Sequence, residues 1–290
     1  MRPLGGRPAA AVFDPATASL VVYSPGAGDQ SPGVVTTLPA TGGPPRTVAL
    51  PGPATALTAD GRGHAYLSAR GGYYRVDVAT GSVVRVAVTG QDATAFTAIA
   101  RRADGRLVLG TADGAVLTLR GDSDVTATVK IFARVDAIVT QANTAVVLDR
   151  GQTSVTTLDA GGDHAAQALR AGEGATTIAT DPAGRVLVVD TRGESLLVFG
   201  VDPLMLRQRY PVRQAPYGLV GSSRLAWVSE TAANLVVGYD LDTGIPVEKV
   251  RYPTVRQPDS LAFDDATGTL YVVSATGDGV QVIQHAAGPR

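Results

Sequence analysis

A chain of 290 residues that is 44% hydrophobic has enough apolar material to bury a large core. Its net charge of −1 excludes a global field that would draw it to nucleic acid or to an anionic membrane. The absence of cysteine excludes disulfides, thiolate catalysis and cysteine-ligated metals, and no run reaches the roughly 20 apolar residues of a membrane-spanning helix.

From the N-terminus onward the sequence repeats. A small residue followed by an apolar anchor recurs at the start of each unit, with anchors at Ala11, Leu57, Ile99, Ile138, Ile178, Leu219 and Leu261, 39 to 46 residues apart. Six of these seven anchors are large. The residue before each is small: Ala10, Ala56, Ala98, Ala137, Thr177, Gly218 and Ser260. Side chains alternate between faces along a strand, so each first strand has a large face and a small face that neighbouring sheets can interdigitate. In the fifth unit four strands are predicted, at about Thr176–Thr180, Val186–Asp190, Ser195–Gly200 and Leu206–Val212. The gaps between strands are filled with Gly, Asp, Pro and Asn, the residues of turns.

A period near 40 residues made only of strands predicts an all-β protein, a seven-bladed β-propeller of four-stranded antiparallel blades. The blades are expected at 9–51, 54–90, 95–133, 135–172, 174–213, 215–253 and 257–284, within a single domain spanning 1–290. The seventh unit has only three predicted strands. Residues 2–10 line up with 48–56, the end of one outer strand running into the next inner one. Residues 1–4 are therefore expected to pair beside Gly279–Ile283 and close the last blade.

The stretch Leu270-Tyr271-Val272-Val273-Ser274-Ala275-Thr276-Gly277-Asp278-Gly279-Val280-Gln281-Val282-Ile283 resembles the repeat pattern of the YVTN family, and Leu235–Gly244 is similar to its third strand and turn. The units also resemble NHL repeats. The resemblance implies binding, sensing or scaffolding, often in bacterial envelope proteins and lipoproteins. Of the 25 basic residues only Lys130 and Lys249 are lysine, which together with abundant alanine suggests a GC-rich, actinobacterial type of genome. An extracytoplasmic location is expected, with any signal and lipidated anchor lying upstream of Met1.

Few residues announce chemistry. His64, His164 and His285 fall in different units and in turns or at strand ends, so they do not converge as zinc ligands do. Trp227 lies inside a second strand and reads as core. Asp136 and Asp259 are the only acidic residues at the starts of first strands, three units apart. One set of loops is richer. The connections from second to third strand and the starts of first strands lie at the same end of the sheets. There they gather Arg70, Tyr73, Asp136, Arg150, Arg192, Tyr217, Glu230 and Asp259, beside Asp149 and Asp190. Loops on a rigid scaffold favour binding. The expected function is a non-enzymatic binding or scaffold role, engaging a protein partner or polar ligand through these eight residues, with no cofactor or metal and as a monomer. The alternatives are a metal-dependent hydrolase resembling lactonase propellers, with a carboxylate site at the tunnel mouth, or a cytoplasmic interaction platform.

Overall fold

The structure is a computed structural model and describes residues 1–288. Among these, the only helical segment is one 3-10 turn, Thr231–Ala233. All other regular structure is strand, in seven consecutive antiparallel sheets in which spatial order follows chain order. Six sheets have four strands and the last has three. The fold is the β-propeller expected from the repeat.

Contacts group the chain into two compact units. One comprises Pro8–Gln152 and Thr156–Ala166; the other comprises Met1–Arg7, Thr153–Val155 and the chain from Gln167 onward.

The first unit shows why the alternation in the inner strands matters. Ile138, on the inner strand Ala137–Gln141 of the fourth sheet, shares a buried cluster with Ala98 and Ala100 on the third sheet's inner strand, Phe96–Arg101. Ile99 points the other way, into a cluster with Tyr66 and Tyr73 of the second sheet. Leu57 packs against Val21, Tyr23 and Val35 of the first. Each anchor is thus received by the preceding sheet, and the small row leaves it space. A Cβ on Gly110 would meet the Val135 side chain at 2.2 Å and Ala98 Cβ at 3.1 Å, so this seam has no spare volume. Ala98 is 1% exposed. Ala56 and Ala137, of the same small row, are only half-buried. Ala137 opens its strand and Ala56 immediately precedes its own, though Ala56 still packs against the cluster that holds Ile99.

Second strands are apolar on both faces because a sheet stacks on each side of them. Leu20–Tyr23 and, in the other unit, Val186–Val189 are buried at every position. Outer strands face water and mix polar with apolar residues; Ala165–Arg170 is exposed at every position, and Met205 and Leu206 are exposed on another.

The second unit repeats the pattern. Leu219 packs with Leu187, Val189, Leu196 and Val198 of the fifth sheet, and Leu261 packs with Leu225, Trp227 and Val236 of the sixth. Trp227 is fully buried, stacked on Phe263 with ring centroids 5.7 Å apart, as a core residue. The expected partner for the three-stranded last sheet is present. Arg2 and Val280 exchange both backbone hydrogen bonds, each 2.8 Å, although the pairing is a single bridge rather than a strand.

Candidate functional site

The inner strands carry a local irregularity that the alternation alone does not reveal. In the third sheet Ala98 pairs with Gly110 but Phe96 with Thr111. In the fifth, Thr177 pairs with Val189 but Ala175 with Asp190. In the sixth, Leu219 pairs with Val228 but Pro216 with Glu230. In the seventh, Ser260 pairs with Val273 but Pro258 with Ser274. The residues left out of register are Thr97, Thr176, Tyr217 with Gly218, and Asp259. A β-bulge bends its strand and re-aims the unpaired side chain. The position two residues before the anchor is therefore a repeated presentation point.

In the second unit these bulges are tied in series. The Thr176 hydroxyl lies 2.6 Å from that of Thr191, which in turn donates to the Pro216 carbonyl at 2.6 Å. The strap joins the fifth sheet's turn, which continues into the exposed Arg192, to the start of the sixth sheet's inner strand. Next, a Cβ at Gly218 would lie 2.8 Å from the Pro258 carbonyl oxygen and 3.2 Å from that of Asp259. Only a glycine lets the sixth-sheet bulge rest against the seventh. Arg192, Tyr217 and Asp259 thereby occupy three consecutive sheets on directly linked backbone.

Their side chains are uncommitted. No hydrogen bond or ion pair engages the side chain of Arg192, Tyr217 or Asp259 among the described residues. Tyr217 is half-buried. Asp259 is also half-buried, and its Oδ1 is shielded from water with no hydrogen-bond partner. Burial alone raises its carboxyl above the usual carboxylate range.

Other expected site residues are committed to structure. Glu230, 5% exposed, receives Arg251 through two bonds of 2.6 and 3.3 Å. The same guanidinium also binds Glu248. Asp190, one of the loop carboxylates, is fully buried and accepts the backbone N–H groups of Glu173, Gly174 and Gly193. It shapes the loops on either side of it.

In the first unit, Arg70 and Arg150 are exposed. The Arg70 carbonyl accepts Arg85 Nη2 at 2.7 Å. Asp136 is held by Arg134 Nε at 3.0 Å and by the Arg150 backbone N–H at 2.9 Å. Asp149 is buried and takes the N–H groups of Ala133 and Gln152. Tyr73 is not on the loop at all. The third strand already begins at Gly72, so Tyr73 turns inward, 0% exposed, and donates its hydroxyl to the Asp122 carbonyl at 2.9 Å. Burial pushes its phenol well above the usual range.

The sequence did not disclose the Thr191 strap or the Glu230–Arg251–Glu248 network. The one available signal was Gly218, the only glycine in the small row. At the other end of the sheets, Asp159, Asp163 and His164 bring ligand-type atoms within 4.8 Å of one another in a turn. Asp159 Oδ1 there already accepts three backbone N–H groups.

No family model matches the chain, and no curated protein matches it in sequence. In three dimensions it is similar to streptogramin B lyase, with TM-score 0.78 and 11% identity over 97% of this chain and 96% of that one. It is similar to the RRP9 WD40 repeats at TM-score 0.81 and 11% identity, covering 98% and 96%. It also resembles a chain of the Mitotic Checkpoint Complex at TM-score 0.80 and 11% identity, covering 98% and 90%. Likeness at such identities establishes the fold, and that fold serves both a lyase and WD40 repeat proteins.

Proposed function

We propose that this chain is a binding or scaffold propeller without catalytic activity, which engages a protein partner through Arg192, Tyr217 and Asp259. The observation that carries the proposal is the orphaned, shielded Oδ1 of Asp259 on a bulge locked beside that of Tyr217. A buried acceptor without a donor is costly, and a partner's donor would relieve it. In the other unit, Arg70, Asp136 and Arg150 are proposed as partner contacts in their own right. The likeness to the RRP9 WD40 repeats and to a chain in the Mitotic Checkpoint Complex supports a protein rather than a metabolite as partner. Export and envelope anchoring are part of the proposal on the strength of the YVTN-like repeats, and cell fractionation tests them.

The experiment is affinity capture with the wild-type chain against the Arg192→Ala, Tyr217→Ala double variant. The variant is expected to lose its partners with an unchanged melting temperature. Binding that survives there and is lost on changes at the opposite end of the sheets overturns the proposal. One observation favours a second reading. A carboxyl raised by burial is also how an acid–base catalyst is tuned, and one similar structure is a lyase. Turnover of lactones or esters that is abolished by Asp259→Asn would decide for an enzyme.

A further inference from the structure

At the end of the sheets away from Arg70 and Arg150, the first unit holds a small basic cavity of about 200 Å³. It lies where the inner strands of the second, third and fourth sheets end, and its walls include Asp60, Arg62, Arg101, Arg102 and Thr140. Its lining thus contains three arginines and one carboxylate.

That carboxylate is already occupied. Asp60 Oδ1 accepts the backbone N–H groups of Arg62 at 2.8 Å and His64 at 3.0 Å. Its Oδ2 lies 3.4 Å from the Tyr66 hydroxyl and 3.5 Å from His64 Nδ1. Arg101 Nη1 approaches Oδ2 only to 4.0 Å, beyond hydrogen-bond reach. The side chain of Arg62 is exposed and has no partner among the described residues.

Arg102 is the unusual member. Its side chain is 3% exposed, yet Nε has no acceptor. Only Nη2 is engaged, with the Ala160 carbonyl at 2.8 Å and Asp104 Oδ2 at 3.4 Å. A guanidinium has five N–H donors, and a buried cation short of acceptors is destabilising. Asp104 is shared with Arg106, so it does not neutralise the cavity.

The geometry points to an oxyanion site here, taking a phosphate, sulfate or carboxylate group between Arg62, Arg101 and Arg102; the Thr140 hydroxyl is spent on the Arg101 carbonyl at 2.8 Å and so leaves the arginines as the donors. Arginine forks match the paired oxygens of such groups, and the cavity is sized for one group rather than for a nucleotide. The site is independent of the Tyr217–Asp259 face and of what that face binds.

Thermal-shift and calorimetric titrations of the full chain with inorganic phosphate test it, with sodium chloride at matched ionic strength as control. A saturable rise in melting temperature is expected with phosphate and not with chloride. Arg62→Gln, at an exposed position, and Arg101→Gln, at a half-buried one, should each weaken the apparent affinity about tenfold, the loss of one charge-assisted contact. Acetate reproducing the effect would identify a carboxylate as a competent source of the same chemistry. An equal shift with chloride, or wild-type affinity in both variants, overturns the site. Arg102→Gln is not needed for the decision, since it can fail to fold.

Discussion

The hydroxyl of Tyr23 donates to the carbonyl of Ala54 at 2.6 Å and accepts the N–H of the same residue at 3.2 Å. One phenol thus satisfies both backbone groups of a buried loop residue that lies between the first and second sheets. Tyr23→Phe keeps the ring and removes both bonds, leaving a donor and an acceptor stranded. The expected cost is about 1–3 kcal/mol, read as a lower denaturant midpoint with an unchanged slope. A neutral result would mean that water replaces the hydroxyl.

Ala98 tests the seam between sheets. It shares a buried cluster with Val135 and lies beside Gly110, where a Cβ on the glycine would already clash with Val135. Ala98→Leu should overpack this seam at about 1–3 kcal/mol. An unchanged melting temperature would show that the third and fourth sheets separate more easily than their packing implies.

The seams were legible in the sequence because a period of two fixes which face each residue of an inner strand takes, and the small row followed directly. The candidate site was less legible, for two physical reasons. Parity errors are absolute in a strand. Placing the start of the third strand at Gly72 instead of beyond Tyr73 moves Tyr73 from solvent to core. Carboxylates, moreover, carry no mark of their partners. Asp190 and Arg192 stand two residues apart, yet one is sealed under N–H groups from Glu173 and Gly174, some 16 residues upstream, and the other is open. The bulges at Tyr217 and Asp259 also escaped notice, since a bulge is a mismatch between two strands and neither strand shows it alone.

Asp190 is therefore predicted to be a structural residue. Its carboxylate takes three backbone N–H groups at 2.8, 2.8 and 2.9 Å. Asp190→Ala should cost about 3 kcal/mol, because charge-assisted bonds are the strong ones and three backbone N–H groups lose their acceptor together. Hydrogen exchange should quicken at Glu173, Gly174 and Gly193 before it does elsewhere. If exchange there is unchanged, the loops hold themselves without the carboxylate.

Removal of Met1–Gly5 should expose the edge of the seventh sheet at Val280–Ile283. An unpaired edge invites pairing with another chain. A lower melting temperature and concentration-dependent association are expected, measured by calorimetry and light scattering. A truncated chain that stays monomeric with full stability would show that the Arg2–Val280 bridge is dispensable.

Asp259 gives a prediction in which stability and binding move in opposite directions. Burial raises its carboxyl in the folded chain, so the folded state keeps this proton to a higher pH than the unfolded chain does. Below the unfolded value of about 3.9 the residue is neutral in both states and imposes no ionisation penalty. As pH rises from there through the folded value the penalty grows, and above that value it stays constant. Asp259→Asn cannot ionise and escapes it. The variant should therefore melt higher than wild type at pH 7, with the gap narrowing toward pH 4. If Asp259 is a partner's contact, the same substitution should weaken partner binding while it stabilises the fold, as expected of a residue kept for function at the expense of stability. A variant that is less stable at pH 7 would show instead that the ionised carboxylate is held by the fold, and the Tyr217–Asp259 face would lose its claim to be the binding site.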